Sequence, residues 1–171
     1  MYLYSHKWPV WVVLEGRAAY RQYGRLRIIC DACCRVPENR QHIPRAKARG
    51  KSAGGYVMLD SGDNIIEQGA KYNGEVTVGE AEYLALIFAL DRAAAFCRQN
   101  IEVWMDSEVA VNQLNGFYCL RSDKIKPLFD EIKKLELRYK SVKYFYHSRG
   151  SFWARVADKV ANEEYSRLQK G

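Results

Sequence analysis

The sequence predicts an α/β domain in which a mixed five-stranded sheet carries helices on its faces. Five short segments have the apolar runs or the alternation typical of strands, and four longer stretches repeat apolar residues at helical spacing. The strands come first as a group of three, and helices then alternate with the remaining two. This order, βββαβα(α)βα, favours one sheet with both antiparallel and parallel pairs rather than a helical bundle or a β-sandwich.

The first half of the chain supplies three predicted strands. RLRIICD (25–31) is the first, and a long polar loop (34–55) separates it from YVMLD (56–60). A turn at 61–64 joins this second strand to IIEQGAKY (65–72). Short strands joined by turn residues indicate an antiparallel meander.

Helices and strands alternate in the second half. The predicted elements are a helix from near Gly79 to about Gln99, a strand at 101–106, a short helix from Ser107 to about Asn115, a helix over 124–140, a strand at 142–147 and a last helix from Phe152 to about Gln169. Gly116 is placed to end the short helix, and Pro127 lies where a first helical turn tolerates the missing N–H group. No internal repeat is present in the sequence.

Residues 1–24 are aromatic and basic and are too short to form a domain. We interpret them as an N-terminal extension of unknown role, able to add a strand, and we assign residues 25–171 to a single domain. No segment reaches the roughly 18 consecutive apolar residues of a membrane span, and no signal-peptide pattern is present, so we expect no membrane association.

The charge of the chain narrows its partners. It carries 27 Lys and Arg against 20 Asp and Glu, a formal charge of +7 over 171 residues. A basic surface favours a polyanionic partner, and nucleic acid is the most common one. The five cysteines show no pattern that completes a zinc site, which predicts reduced thiols in a cytoplasmic protein, with Cys30 facing the core.

Four acidic residues hold the positions that a two-metal centre needs. Asp31 and Asp106 end predicted strands, whereas Glu82 and Asp158 lie on predicted helices. Ligands of open α/β sheets bind in the crevice beyond the strand ends, where four carboxylates would repel one another without cations between them. Oxygen ligands without thiolates or histidine clusters suit two Mg²⁺ ions, for which Mn²⁺ can substitute.

Three motifs resemble the type 1 ribonuclease H family over roughly residues 25–166. TVGEAEYLALIFAL (77–90) is similar to the family's T-N-N-x-A-E-Y segment, and WMDSEVAVNQLNG (104–116) to its D-S-x-x-V-x-x-Q-L-x-G strand and helix. HSRGSFWARVADKVAN (147–162) resembles the family's histidine loop and A-D-x-L-A-N helix. The three motifs follow in order, after a strand that ends in Asp31, and they imply a ribonuclease H-like fold with residues 25–171 as the catalytic domain.

The resemblance implies an endonuclease that hydrolyses the RNA strand of an RNA–DNA hybrid with two metal ions. On that template Asp31 bridges both ions, Asp158 holds the nucleophile-side ion, and Glu82 and Asp106 hold the other. His147 matches the family's mobile histidine, a proton shuttle or product-release group. We expect a monomer that needs no small-molecule cofactor. The predicted substrate-binding residues are Thr77, Ala32, Cys33, Arg45, Lys47, Arg49 and Lys51.

Four departures from the family pattern concern the contacts to nucleic acid. Val78 and Gly79 replace the asparagines usual after the threonine, and Ala154 replaces an asparagine before the last acid. The first loop is long and basic, and the tryptophan-rich basic protrusion of some relatives is absent from the sequence between Gly116 and the next helix. Two alternatives therefore remain: a nucleic-acid-binding protein of this fold with weak or no catalysis, and another superfamily member such as an integrase or junction resolvase. The complete set of carboxylates argues against the first, because negative charge facing phosphates gains a pure binder nothing.

Overall fold

The structure of the chain is a computed structural model, which describes residues 12–14, 17–19, 22–44 and 46–169. The strands are β1 (Val12–Leu14), β2 (Arg17–Ala19), β3 (Tyr23–Arg35), β4 (Gly50–Leu59), β5 (Ile65–Val76), β6 (Cys97–Met105) and β7 (Ser141–Tyr146). The helices are α1 (Val78–Ala93), α2 (Glu108–Leu114), α3 (Lys126–Glu136) and α4 (Phe152–Gln169), and a single 3-10 turn covers Glu38–Arg40.

Strands β3 to β7 form the predicted mixed sheet, in the order β5-β4-β3-β6-β7. The β3–β4 and β4–β5 pairs are antiparallel, whereas β3–β6 and β6–β7 are parallel. The main core lies between one face of the sheet and helices α1, α2 and α3, and a smaller cluster lies between the other face and α4. The predicted mixed five-stranded sheet with helices on both faces is confirmed.

Two adjacent glycines of β4 allow helices to approach both faces of the sheet. A Cβ atom added to Gly54 would lie 2.7 Å from the Cβ of Ala85 on α1, and one added to Gly55 would lie 2.7 Å from the backbone nitrogen of Ala161 on α4. Neither helix could pack at this distance against a larger residue. Because neighbouring residues of a strand face opposite sides, the pair fixes the height of α1 on one face and of α4 on the other.

The first predicted loop is shorter than expected. The sequence predicted a loop over 34–55, but β3 extends to Arg35 and β4 begins at Gly50, with Arg35 paired to Lys51. The prediction was wrong because the small and glycine-rich residues before Tyr56 read as a turn. In the fold they are the strand positions on which α1 and α4 pack.

The helix predicted from Gly79 to about Gln99 ends earlier, at Ala93, and β6 begins at Cys97 rather than at residue 101. The residues between them continue the apolar pattern because they are buried, not because they are helical: Phe96 is 4% exposed and its carbonyl accepts a hydrogen bond from the Tyr23 backbone. The helix predicted over 124–140 is also shorter, at Lys126–Glu136. The last helix begins and ends where the sequence predicted it.

The N-terminal extension is described only in part. Residues 12–14 and 17–19 pair as a small antiparallel hairpin, where the sequence predicted one added strand. The role of residues 1–24 stays a prediction, as does the domain boundary after them. Arg45 lies outside the described residues. Among the described residues, no helix is both long enough and apolar enough to cross a membrane.

Candidate active site

Asp31 and Asp106 meet where the parallel strands β3 and β6 separate. The two strands pair up to Ile29 and Trp104, and β6 then ends at Met105. β3 continues alone with β4, so Asp31 lies within its strand rather than at its end, opposite Gly55. Counted along the shared register, Asp31 and Asp106 occupy the same level of the sheet. The splitting of the pair opens the crevice that the strand-end pattern predicted.

Glu82 and Asp158 are supplied by the two helices that pack on the glycine pair of β4. Glu82 lies one turn before Ala85 on α1, and Asp158 follows Ala157 on α4. The start of α1 is fixed by a capping box, in which Thr77 accepts a bond from the Glu80 backbone and donates to the Glu80 carboxylate at 2.8 Å. Such a box satisfies backbone donors that the first helical turn leaves unpaired.

All four acids line one cleft of about 270 Å³. Its walls are formed by Asp31, Ala32, Cys34, Val78, Glu82, Asp106, Arg149, Ala154, Arg155 and Asp158. The four carboxylates come from two strands and two helices that are distant in the sequence, so their convergence depends on the whole fold. The side chains of Cys34, Arg149 and Arg155 were not singled out by the sequence patterns.

The carboxyl group of Asp31 carries the clearest electrostatic signature of the cleft. Burial raises its pKa to about 7, and the charges of Asp106 and Asp158 add to the increase. The backbone N–H of Ala32, which donates to it at 2.7 Å, and the Arg149 guanidinium act in the opposite direction. Crowded carboxylates that cannot all ionise are typical of functional sites.

Arg149 supplies a positive charge to the cleft. Its Nε donates to Oδ2 of Asp106 at 2.6 Å, and this contact is the main reason why the pKa of Arg149 is raised. The Asp106 side chain is only 8% exposed, whereas that of Arg149 is 71% exposed. A short charge-assisted bond therefore holds Asp106, while the rest of the arginine side chain faces solvent.

The donor set of the cleft fits a hard divalent cation. All four candidates are carboxylates, and Asp31 retains an unfavourable charge balance that a cation would relieve. Within the described part of the chain, no three His, Cys, Asp or Glu side chains are arranged to hold one ion among them. The three carboxylates that the resemblance implies for one of the two ions are therefore not preassembled, and water and substrate oxygens would complete the octahedron of each Mg²⁺.

His147 does not line the cleft. Its Nδ1 lies 3.0 Å from the backbone oxygen of Ser148 and 3.1 Å from Oγ of Ser151, and its Nε2 is buried with no hydrogen-bond partner among the described residues. Ser151 in turn accepts a bond from the Ala154 backbone at the start of α4. His147 thus braces the loop before α4, and Arg149 of the same loop reaches the acids instead. The catalytic role of His147 stays a prediction.

The predicted substrate contacts near β3 lie at different places. Ala32 lines the cleft, but the Cys33 sulfur lies 3.6 Å from the Ala161 carbonyl on α4, and Cys34 takes the position on the cleft wall. Thr77 is 5% exposed and serves the helix cap. The five cysteines, all within the described residues, form no disulfide, and Cys30 is buried in the core as predicted.

Two of the loop arginines are already paired with glutamates. Arg40 donates to the Glu75 carboxylate at 2.8 Å, and Arg49 lies 3.6 Å from Glu80 in an ion pair. These contacts fasten the loop between β3 and β4 to the end of β5 and the start of α1. Lys47 and Lys51 remain exposed. Fewer cations of this basic loop are therefore unpaired and available to substrate than its sequence indicates.

Comparisons with known proteins agree with this fold. Ribonuclease HI of Halobacterium salinarum is 39% identical to the chain over 67 residues, which are 39% of this chain and 34% of that protein, so the match spans about a third of the relative's length. The crystal structure of RNase H1 from Halobacterium salinarum NRC-1 superposes with a TM-score of 0.73 at 26% identity, covering 84% of this chain and 99% of that one. LC11-RNase H1 in complex with an RNA/DNA hybrid gives a TM-score of 0.68 at 27% identity, covering 81% of this chain and 94% of that one.

The predicted ribonuclease H-like fold and the predicted resemblance to type 1 ribonuclease H are confirmed. Residues 45–164 match the model of the reverse transcriptase-like family. The chain belongs to the reverse transcriptase-like family.

Proposed function

We propose that this chain is a divalent-metal-dependent endoribonuclease that hydrolyses the RNA strand of RNA–DNA hybrids. The observation that carries the proposal is the convergence of Asp31, Glu82, Asp106 and Asp158 in one cleft. A structural neighbour, LC11-RNase H1, was solved with an RNA/DNA hybrid, which supports the same substrate for this chain. Ribonuclease HI of Halobacterium salinarum supports the same reaction class.

The four carboxylates would hold two Mg²⁺ ions, with Mn²⁺ as a substitute. In this assignment Asp31 contributes to both ions, Asp158 to one, and Glu82 with Asp106 to the other. Bound there, such ions supply Lewis acidity to a phosphoryl oxygen and lower the pKa of an attacking water. The chain's own part is to hold the acids at fixed positions on a rigid sheet, so that little reorganisation is needed when the reaction occurs.

Arg149 and Arg155 give the cleft a wall that can receive phosphate. Arg149 bonds to Asp106 and is largely exposed beyond that contact, and Arg155 lies one turn before Asp158 on the rim. A guanidinium presents paired donors to a phosphate oxygen pair. We propose that the exposed guanidinium of Arg149, which bonds to Asp106 through Nε, receives the substrate phosphate with its remaining donors.

Val78 bears on how the cleft receives the hybrid. It lines the cleft at the first position of α1, where it can contribute only an apolar side chain and its backbone N–H. The contacts there would therefore come from backbone N–H groups at the start of α1, a helix end that carries partial positive charge. Discrimination of the RNA strand would depend on its 2′-hydroxyl groups in the minor groove. Cytoplasmic location and a monomeric state remain part of this proposal.

A cleavage assay tests the proposal. A hybrid with labelled RNA is incubated with the protein, with and without Mg²⁺, beside single-stranded RNA, duplex DNA and a hybrid with labelled DNA. We expect metal-dependent cleavage of the RNA strand of the hybrid alone. Tight, salt-sensitive hybrid binding without any cleavage in Mg²⁺ or Mn²⁺ would instead identify the non-catalytic binding protein that the departures at Val78, Gly79 and Ala154 leave open.

A further inference from the structure

We propose that Asn162, held in place by Arg35, is a positioning residue for the carboxylate of Asp158. The inference deepens the proposed function and rests on the assignment of Asp158 as a metal-binding acid. Neither residue lines the cleft, and the inference assigns their effect on the reaction to the carboxylate of Asp158.

The side-chain amide of Asn162 makes two bonds to the same aspartate. Its Nδ2 donates to the Asp158 carboxylate Oδ1 at 2.8 Å and to the Asp158 backbone oxygen at 2.9 Å. The two residues are four apart on α4 and therefore lie one above the other on the same helix face. A donor that engages both the side chain and the backbone of one residue restricts the torsion of that side chain.

Arg35 determines which way the Asn162 amide faces. Its Nη2 donates to Oδ1 of Asn162 at 3.1 Å, and its guanidinium lies over the ring of Tyr165 at 5.0 Å. Arginine has only donors and ionised aspartate has only acceptors. The amide can therefore satisfy both neighbours in one orientation only, with its oxygen towards Arg35 and its nitrogen towards Asp158.

The bond from Asn162 gives the Asp158 carboxylate a fixed orientation. Asp106 is held by Arg149 and Asp31 by the Ala32 backbone, but Asp158 is an exposed residue on a helix surface. An exposed carboxylate without a fixed rotamer loses conformational entropy when it binds a cation. Groups that orient metal ligands in this way commonly contribute 10- to 100-fold to metal affinity or activity.

The test measures Mn²⁺ binding to the metal-free protein by calorimetry and hybrid cleavage as a function of metal concentration. Asn162→Ala is expected to weaken Mn²⁺ binding by about 10- to 100-fold and to lower kcat at limiting metal, with KM for the hybrid little changed. High metal concentration should restore kcat. Asn100→Ala is the matched control, because Asn100 also bonds on two sides, to Gly24 and Ser141, at the opposite end of the sheet.

Arg35 is tested in both backgrounds. Arg35→Met keeps an apolar stem beside Tyr165 but loses the donor, and it should weaken Mn²⁺ binding in the wild-type chain, whereas Arg35→Lys should retain most of it. In the Asn162→Ala background Arg35→Met should add nothing, because the two residues act in series. An Arg35→Met effect on hybrid KM that is equal in both backgrounds would make Arg35 a direct substrate contact and overturn its positioning role.

The outcomes separate this inference from the proposed function. A wild-type protein that neither binds Mn²⁺ nor cleaves the hybrid would refute the proposed function itself. A wild-type protein that does both, with an Asn162→Ala variant whose Mn²⁺ affinity and metal dependence stay within twofold of it, would refute only the positioning role. Melting temperatures of Asn162→Ala and Arg35→Met without metal, if close to that of wild type, exclude misfolding as the cause of weaker Mn²⁺ binding.

Discussion

Replacing Asp31 with asparagine should stabilise the metal-free protein while it abolishes cleavage. Asparagine keeps nearly the same shape, and its oxygen can still accept the bond from the Ala32 backbone that Asp31 accepts at 2.7 Å. The change removes one negative charge from a buried position beside Asp106 and Asp158, which both raise the pKa of Asp31. The sign is the reverse of that for most substitutions in a site, which destabilise.

The size of the effect follows from the pKa of Asp31, about 7 in the folded chain against about 3.9 for an unperturbed aspartate. Three units at about 1.36 kcal/mol each give an upper value of about 4 kcal/mol. Below pH 3.9 the carboxyl is protonated in both states and the variant gains nothing. As pH rises, the unfolded chain ionises first, so wild-type stability falls until about pH 7, and the advantage of the variant grows to its full value.

The assay is thermal unfolding between pH 4 and pH 8.5, with and without Mg²⁺. For a domain of this length, the full difference corresponds to a melting temperature higher by roughly 8 to 16 °C at pH 8 without metal. Mg²⁺ at about a hundred times its dissociation constant should add about 2.7 kcal/mol to the wild type and much less to the variant, which narrows the gap.

Asp130→Asn controls for the change in net charge, since Asp130 is an exposed residue of α3, a helix that contributes no residue to the cleft wall. Its melting temperature should change little with pH relative to wild type. If Asp31→Asn is less stable than wild type at pH 8 without metal, or if its advantage does not depend on pH, burial and the neighbouring carboxylates do not raise the pKa of Asp31 and the reasoning fails.

Three further predictions concern the same cleft and its approaches. Asp106→Asn should abolish cleavage yet leave hybrid binding in Ca²⁺ within a few-fold; full activity in the gel assay would remove Asp106 from the site. Arg149→Ala should lower kcat by about 10²-fold or more, as expected for a lost charge-stabilising donor. His147→Ala should lower kcat less than Arg149→Ala does, and it should lower the melting temperature. A larger kcat loss for the histidine than for the arginine would restore the proton-shuttle assignment. Changing Lys47 and Lys51 to serine should flatten the salt dependence of hybrid binding by about one to two units, and an unaltered slope would leave both lysines without a phosphate contact.

The sequence predicted the topology and the four acids because both depend on local signals that survive packing. Strand and helix periodicity identified all five strands of the sheet. Asp106 directly follows β6, whereas Asp31 lies within β3 and the other two acids lie on helices, and all four line one cleft. The exception is instructive. Gly54 and Gly55 read as loop residues, since nothing local distinguishes a flexible turn from a strand that two helices must approach closely. That distinction exists only after α1 and α4 are in place.

The orientation of side chains around the acids could not be predicted in the same way. Family resemblance drew attention to His147, but Arg149, two residues later, is the side chain that reaches Asp106, and the histidine bonds to Ser148 and Ser151 instead. A motif fixes the order of residues in a loop, whereas the direction of each side chain depends on the hydrogen bonds available around it. Here the Asp106 carboxylate binds Arg149, and the oxygen atoms of Ser148 and Ser151 bind the His147 ring.

The same reasoning changes the interpretation of the basic loop. The cations of the loop between β3 and β4 were predicted to bind the substrate. However, Arg40 and Arg49 form ion pairs with Glu75 of β5 and Glu80 of α1. Exposed ion pairs of this kind contribute little stability singly. Their larger effect is geometric, because together they tie the loop to the start of α1, beside Val78 on the cleft wall. The loop is thus held beside the start of α1, and among the described residues Lys47 of the loop and Lys51 of β4 are exposed and can meet a polyanion.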